Sequence, residues 1–551
     1  MSTPLLRTLE NSKFRFDPTL AAKRLAALKQ LERATLGSAA AVLRLHELLC
    51  FVRAYPDNEQ VLAQCKKMMA AFGRRADLQR FRDDLADTGV AGTPITYSFY
   101  AATAKRLAHG WPEQLSIVWG ENENVDLIDE QLQPMALWSE TPALDEAAFD
   151  TEQWLEEMRG KRADGAFIVQ RVADAHPDPF TFERVFEGLG LTLRLEPSNN
   201  TPSRTLAEAP VRRVQFQTDP MRGQRPVIDE VLQEQPRAIR TLSRSEGEHY
   251  VEMARNAMVT RQRDLDAFAY GDANDVRLIE WEDGLTFAAI GLMPERRLML
   301  EAVYGFLTLR NGVPMGYVLN SALCGSAEIA YNVFDTFRGG EAGWIYGRVL
   351  ATVKALFGVD SFTIYPYQLG HGNEEGLQSG AWWFYQKLGF RPRDRRLLAL
   401  MNRELSAMKK KRGHRSSIAT LKVLAEENVY YHEQEQRDDV IGLVPFGNVG
   451  LAVTRMIAKR FGGDRARAER ECEAEAQQLL GKPRGHGGGM WFRRWAPLVV
   501  TLPGIKRWSK AERKALLEVI LKKGSRRESD YVRAFDAHVK LRQAIAQLAR
   551  S

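Results

Sequence analysis

The first 180 residues carry apolar side chains at three- and four-residue spacing, which is the period of an amphipathic helix. Polar residues fill the positions between them, so each segment has one apolar and one polar face. Three stretches show this pattern most clearly: 18–34, 38–55 and 58–85. The pattern predicts an α-helical domain over residues 1–190.

A polar stretch at 196–213 interrupts the helical pattern and contains three prolines. Proline and clustered small polar residues are typical of loops and linkers. We therefore predict a linker or irregular segment over residues 191–240.

Farther along the chain, apolar and polar residues alternate, as they do in half-buried strands. Residues 275–292 contain two such runs joined by Glu-Asp-Gly, and residues 302–323 contain two more around Asn311-Gly312. Both junctions are typical of β-hairpin turns. Another strand is predicted within 327–337.

Helical and extended patterns then alternate again. The sequence predicts a helix at 343–357, a short strand at 361–367 and a helix at 377–390 that ends at Gly389. Strands followed by alternating helices and strands indicate a mixed sheet. This domain is predicted to cover residues 241–405.

Residues 406–551 begin with a basic connector and otherwise read as helix, apart from a glycine-rich, basic and aromatic interruption at 481–498. The predicted fold class is thus α+β and multidomain, with a central mixed β-sheet domain flanked by N-terminal and C-terminal α-helical domains. A length of 551 residues agrees with several domains.

Composition narrows the class of protein. Four widely separated cysteines, none in a CxxC pair, argue against a disulfide framework or a zinc site, and no metal site is predicted. No apolar stretch reaches the roughly 20 residues that a membrane-spanning helix needs, and no secretory signal pattern stands at the start. We expect a cytoplasmic protein without a membrane span.

The net charge of +7 is unevenly distributed. From Arg391 to the end there are 35 Lys+Arg and 18 Asp+Glu, so this part carries 35 − 18 = +17 and the rest carries 7 − 17 = −10. A basic region of this kind favours polyanionic partners or acidic surfaces of its own chain.

The segment 338–350, RGGEAGWIYGRVL, places an arginine and two glycines directly before a predicted helix. Backbone amides at such a helix start can bind a phosphate group. The same residues can also form an ordinary tight turn, and the residues alone leave both interpretations open.

Taken with the preceding strand and with the later AWWFYQKLGFRP, this segment resembles the GNAT superfamily of acyl-CoA-dependent N-acyltransferases. The resemblance covers about residues 240–395. It implies that the strand and loop hold acetyl-CoA or another acyl-CoA, and that Tyr385 protonates the departing thiolate. The implied cofactor-binding residues are Asn332, Val333, Phe334, Arg338, Gly339, Gly340, Glu341, Ala342 and Gly343.

The loop departs from the family pattern at Glu341, where a carboxylate would repel a diphosphate. When the pattern is aligned on Arg338, Glu341 takes a glycine position. When it is aligned one residue earlier, Phe337 replaces the leading arginine or glutamine. Glu341 could instead cap the helix that follows.

The polar segment 368–380 lies where the family places groups on the cofactor and substrate sides. Asn373 is expected to hydrogen-bond the pantetheine. His371 and Glu374, or Glu375, are candidates for the base or for binding the amine acceptor. Each of them could also be an ordinary solvated loop residue.

Three functions follow as hypotheses. The first is a CoA-dependent N-acyltransferase, with acetyl transfer to an unidentified amine by direct attack. The second is a non-catalytic GNAT-like binding or scaffold protein. The third is contact of residues 406–551 with RNA or another polyanion, in which basic residues bind phosphate and aromatic rings stack on bases, or are buried instead; the rings are Trp491, Phe492, Trp495 and Trp508.

Overall fold

The computed structural model describes residues 2–122, 124–483 and 488–550. The chain forms two compact units. The first consists of Met1–Met221, His249–Tyr270 and Leu309–Pro314, and the second consists of Arg222–Glu248, Gly271–Thr308 and Met315–Ser551. The predicted division at residues 190, 240 and 405 stays a prediction.

The N-terminal region is mainly helical, as its apolar spacing predicts. Side-chain caps fix several helix starts: Asp17 Oδ1 accepts from the Leu20 amide at 2.8 Å, and Asn58 Oδ1 accepts from the Val61 amide at 3.0 Å. The helices are α1 (Ser2–Asn11), α2 (Pro18–Arg33), α3 (Ala39–Ala54), α4 (Glu59–Ala71), α5 (Ala76–Arg80), α6 (Ala101–Gly110), α7 (Val125–Met135), α8 (Thr141–Glu146), α9 (Thr151–Arg159), α10 (Asp164–Ala175) and α11 (Pro179–Gly188).

A small antiparallel sheet, which the sequence analysis did not predict, lies among these helices. Its strands are β1 (Ile95–Tyr97), β2 (Leu115–Ile117) and β3 (Leu193–Leu195), in the order β1-β3-β2. Three-residue strands are too short to show a repeating alternation, and for this reason the sequence pattern missed them.

The second sheet has nine strands in the order β11-β12-β10-β9-β8-β7-β6-β5-β4. It is mixed, because β9 and β10 run parallel whereas β10 pairs antiparallel with β12. The strands are β4 (Ala238–Thr241), β5 (Gly271–Glu280), β6 (Leu285–Leu292), β7 (Ala302–Arg310), β8 (Val313–Leu323), β9 (Ser326–Val333), β10 (Ser361–Ile364), β11 (Arg391–Pro392) and β12 (Val429–His432). The α+β class with a mixed sheet is confirmed.

Both predicted hairpin turns are present. Asp283 and Gly284 have φ of 57° and 76°, and Asn311 and Gly312 have φ of 48° and 80°. Positive φ at both central residues gives the turn the twist that adjacent antiparallel strands need, and asparagine, aspartate and glycine tolerate it best. The strand pairs β5–β6 and β7–β8 therefore follow from local sequence.

The helices of the rest of the chain cover the sheet strands and form most of the C-terminal region. They are α12 (Ile228–Val231), α13 (Arg244–Val259), α14 (Asp266–Ala269), α15 (Ala342–Phe357), α16 (Pro366–Leu369), α17 (Glu374–Ser379), α18 (Ala381–Lys387), α19 (Arg395–Lys410), α20 (Ile418–Leu424), α21 (Gly447–Phe461), α22 (Arg465–Leu480), α23 (Gly488–Thr501), α24 (Lys510–Lys523), α25 (Glu528–Ala537) and α26 (Val539–Arg550). Among the residues with described positions, no helix is both long and apolar enough to span a membrane.

Two predictions about these elements are wrong. The helix expected over 377–390 is broken at Gly380, whose φ of 68° ends α17 and begins α18. The region after 405 is not all helical, because β12 inserts between β10 and β11. A four-residue strand depends on its distant partners, so the local pattern did not reveal it.

The aromatic residues of the C-terminal region belong to the core. Trp491, Phe492, Trp495 and Trp508 are all buried, so the base-stacking hypothesis for these rings is wrong and the alternative of a helical core is confirmed. The candidate polyanion-binding segment 481–498 also includes residues 484–487, which lie outside the described residues.

A buried ionic cluster connects α24 and α25. Lys523 Nζ lies 2.6 Å from Glu528 Oε1, and both side chains are fully buried. Lys523 also donates to the Glu301 carbonyl at 2.8 Å, and the Glu528 amide donates to Asp275 Oδ2 at 3.1 Å. Charges this deep persist only when they are paired, so the cluster ties these two helices to the strands of the sheet.

Candidate functional site

The parallel strands β9 and β10 pair only at their beginnings. Their last paired residues are Glu328 and Thr363, and β10 ends one residue later at Ile364. β9 continues to Val333 and stays paired with β8 along its whole length. The β9 edge that faces β10 therefore has no strand partner from Ile329 to Val333 within the described part of the sheet.

Side-chain alternation divides the residues near this opening between the two faces of the sheet. The register places Glu328, Thr363 and Tyr430 side by side on one face. On the other face Phe362 and Tyr431 face each other across β10 and β12. Asn332 shares the face of Glu328, whereas Tyr331 shares the face of Phe362.

The loop after β9 enters α15 through two glycines in left-handed conformations. A short 3₁₀ turn covers Asp335–Phe337, and Gly339 and Gly340 then have φ of 96° and 51°. Residues with a side chain rarely adopt a φ of 96°, so this loop requires glycine at position 339. Ala342 and Gly343 form the first turn of α15, where backbone amides are available to an anion.

Arg338 is half exposed and already has anionic neighbours. Its guanidinium lies 2.8 Å from Asp335 Oδ1, forms an ion pair with Glu375, and donates from Nε to the Val333 carbonyl at 3.4 Å. Both carboxylates are themselves largely exposed. The arginine is held beside the end of β9 by contacts that a phosphate group could replace.

Glu341 is buried, with only 2% of its surface exposed. It occupies the N-cap position of α15, yet its side chain makes no capping hydrogen bond to the helix. Its Oε1 instead accepts from the Arg222 amide at 3.5 Å. The expectation of a simple helix cap is therefore wrong, because the side chain turns toward a different segment of the chain.

That segment, residues 222–226, lies across the start of α15. A Cβ added to Gly347 would meet Pro226 Cγ at 3.2 Å, and one added to Gly343 would meet Pro226 Cδ at 3.7 Å. The Arg222 guanidinium stacks 4.9 Å from the centre of the Trp344 ring. The first turns of this helix are thus packed against the chain's own backbone on one side.

Tyr385 on α18 is buried in a cluster of aromatic rings. Its ring lies 5.6 Å from that of Tyr346 and 5.9 Å from that of Phe390, both edge-on. Tyr346 in turn lies 5.4 Å from Tyr331 at the open end of β9. Burial raises the pKa of the Tyr385 hydroxyl well above its ordinary value. The cluster connects Tyr385 with the edge of the opening.

The tryptophans near α18 are anchored by other elements. Trp382 Nε1 donates to the Leu424 carbonyl at 2.9 Å, and Trp383 Nε1 donates to Ser416 Oγ at 3.1 Å. Trp344 packs between the guanidinium groups of Arg222 and Arg348. Their indole groups thus have partners on α20, on the connector after α19, and on the segment that covers α15.

The predicted groups in the 368–380 loop are not assembled around Tyr385. Asn373 caps α17, since its Oδ1 accepts from the Gly376 amide at 3.0 Å and its Nδ2 donates to the Tyr367 carbonyl at 3.0 Å. Its expected hydrogen bond to pantetheine therefore conflicts with local bonding. His371 and Glu374 are exposed, and no hydrogen bond or ion pair within the described residues joins either one to Tyr385.

Sequence reasoning missed Glu328, the last residue of β9 that pairs with β10. It is partly buried, and burial together with the charge of Glu301 raises the pKa of its carboxyl group. No cation forms an ion pair with it among the described residues. A single acidic residue inside the apolar stretch SAEIAYNV was the available signal, and only the strand register shows that it lies beside the opening.

The predicted strand residues at the end of β9 differ in their environments. The Asn332 Oδ1 atom is buried and has no hydrogen-bond partner among the described residues. The Val333 carbonyl accepts from Arg338, and the Phe334 amide donates to the Met315 carbonyl at 2.8 Å. Asn332 therefore offers a buried acceptor next to the unpaired edge, and such atoms normally find a partner.

Compared with known proteins, the chain matches no protein-family model, no curated protein and no solved structure. The grounds for a function are therefore the geometry of this opening and the motif resemblance.

Proposed function

We propose that the protein transfers an acyl group from an acyl-CoA to an amine acceptor. One observation carries this proposal: the parallel strands β9 and β10 part beside a glycine loop that leads into α15. An extended pantetheine chain can add to an unpaired strand edge through backbone hydrogen bonds, as a peptide does. The amides at the start of α15 would lie at its phosphate end.

The residues of the loop divide the task of holding the diphosphate. Gly339 and Gly340 let the backbone approach the phosphates closely, and the first amides of α15 donate to them. Arg338 contributes a positive charge once it exchanges Asp335 and Glu375 for phosphate oxygens. Asn332 supplies an acceptor for an amide of the pantetheine.

An acyl-CoA supplies an acyl group activated as a thioester. Glu328 takes a proton from the acceptor amine as the amine nitrogen forms its bond to the acyl carbon. Tyr385 donates its phenolic proton to the sulfur as the carbon–sulfur bond breaks, and it regains a proton afterwards. This direct attack needs no covalent enzyme intermediate.

Titration with acetyl-CoA tests the binding step. We expect saturable binding in isothermal titration calorimetry, weakened about 10-fold in Gly339→Ala, because a side chain at this φ strains the loop and displaces its amides. Gly481→Ala is the matched control, since Gly481 has a similar φ of 92° and open space around an added Cβ. Absence of binding at millimolar acetyl-CoA would exclude the proposed transfer.

The pH dependence tests Glu328. A general base works when it is ionised, so kcat/KM should fall as the pH drops through the raised pKa of this carboxyl group. Glu328→Gln should lose about 100-fold in kcat/KM and lose this acidic limb. Glu301→Gln is the control: it removes the neighbouring charge that raises the pKa, so the limb should move to lower pH while the maximal rate is kept. An unchanged profile in Glu328→Gln would show that Glu328 is not the base.

A second function, a binding protein without catalysis, is favoured by the contacts around Arg338 and Glu341. Two carboxylates already neutralise Arg338, and residues 222–226 cover one side of α15. In this case acetyl-CoA would not bind, and the calorimetric titration described above separates the two functions.

A further inference from the structure

The stretch from Lys387 to Arg415 contains 11 Lys+Arg and 2 Asp+Glu, a net charge of 11 − 2 = +9. It covers the end of α18, β11, α19 and the connector that follows. Eight of these cations have exposed side chains, and we call them the basic surface: Lys387, Arg395, Arg403, Lys409, Lys410, Lys411, Arg412 and Arg415.

The two acidic residues of this stretch have other tasks. Asp394 caps α19 by accepting from the Leu397 amide at 2.9 Å, and Glu404 accepts from Ser416 Oγ at 2.7 Å and contacts His414 at 3.1 Å. Arg393 and Arg396, which are outside the basic surface, pair with acidic residues elsewhere. Over the described ranges, none of the eight cations of the basic surface forms an ion pair.

The fold brings some of these cations close together. The hydrogen bond from Trp383 to Ser416 fastens the connector to α18, and Lys387 lies one helical turn beyond Trp383. Partial burial and the charges of Arg225 and Arg415 lower the pKa of Lys387. Cations that repel one another without a carboxylate between them are stabilised when an anion with several charges binds.

We propose that the basic surface binds the phosphate backbone of single-stranded RNA. The 16 residues of α19 extend for about 24 Å, and the connector prolongs the row of cations, so several consecutive phosphates can be contacted at once. The stretch 387–415 has no large exposed apolar side chain, which disfavours insertion into a membrane. The buried tryptophans of the C-terminal helices leave phosphate contact as the main source of affinity.

Such binding has two expected properties. It is insensitive to base sequence, because phosphates carry no sequence information. It also weakens steeply with salt, because each neutralised phosphate releases counterions. The proposal does not depend on acyl transfer, since it concerns the exposed side chains of α19 and its connector.

Fluorescence anisotropy with a labelled mixed-sequence RNA of about 20 nucleotides tests the proposal, using the full chain at about 0.05 to 0.3 M salt. The triple variant Lys409→Glu, Lys410→Glu, Lys411→Glu should bind at least about 10-fold more weakly, and its slope of log K against log salt should be shallower by about 2. The control is Lys459→Glu, Lys510→Glu, Lys514→Glu, which changes the net charge equally at exposed lysines elsewhere.

Three results would overturn the proposal. One is equal weakening in the control, which would indicate that net charge alone attracts RNA. Another is the absence of RNA binding by the unaltered chain at about 0.05 M salt. The third is a triple variant that loses binding to anionic vesicles but keeps RNA binding. Arg395→Glu with Arg403→Glu repeats the test on α19 itself if the triple variant does not fold.

Discussion

Replacing Tyr385 with phenylalanine is expected to slow acyl transfer about 1,000-fold while acyl-CoA binding stays nearly unchanged. The phenyl ring keeps the edge-on contacts with Tyr346 and Phe390, so the loss isolates the hydroxyl proton. Without this proton the sulfur must leave as a thiolate into a buried aromatic cluster, where a charge is poorly solvated. Steady-state rates with acetyl-CoA, together with calorimetric affinities, measure the two effects separately.

Tyr346→Phe is the matched control for this substitution. Tyr346 lies in the same cluster, and its hydroxyl is buried without a hydrogen-bond partner among the described residues. Removing this hydroxyl should leave the rate within about 3-fold and leave stability unchanged or slightly raised, since an unsatisfied polar group is lost. If both variants keep full activity, Tyr385 is a packing residue and not an acid.

Replacing Lys523 with methionine is expected to lower the free energy of unfolding by about 3 to 5 kcal/mol, because it leaves the Glu528 carboxylate buried without its cation. Burial already raises the pKa of Glu528, and the charges of Lys523 and Arg297 oppose this rise. Without the lysine, the carboxyl group must become protonated or draw in water. Urea denaturation monitored by fluorescence measures the change.

The double variant Lys523→Met, Glu528→Leu is the test of mechanism. It removes both charges and fills the site with apolar groups, so it should recover most of the stability lost in the single variant. Lys522→Met, one position earlier on α24, should change the free energy of unfolding by less than about 0.5 kcal/mol. A small effect of Lys523→Met, near that of Lys522→Met, would show that the cluster does not stabilise the fold.

The elements that local sequence predicts are those whose signals lie within a few residues. The turns at Asp283-Gly284 and Asn311-Gly312 need only a backbone preference, and α15 shows its apolar face within four turns. β12 and the break at Gly380 were missed for opposite reasons. β12 is held by strands distant in sequence, whereas the break at Gly380 interrupts a pattern that continues on both sides of it.

The candidate site divides in the same way. The glycine loop and Tyr385 can be read from contiguous motifs, and the structure places Tyr385 in a cluster that reaches the end of β9. Glu328 is found only from the strand register, because its position depends on where β10 stops. The direction of Glu341 depends on Arg222, more than a hundred residues earlier, and no local pattern could reveal this contact.

The placement of Glu328 and Tyr385 on opposite faces of the sheet has a consequence for proton traffic. The base would accept its proton on one side of β9, and the acid would deliver its proton from the aromatic cluster on the other side. The sheet separates two proton reservoirs, so the proton removed from the amine is not the one delivered to sulfur. Each group would have to restore its own protonation state before the next turnover.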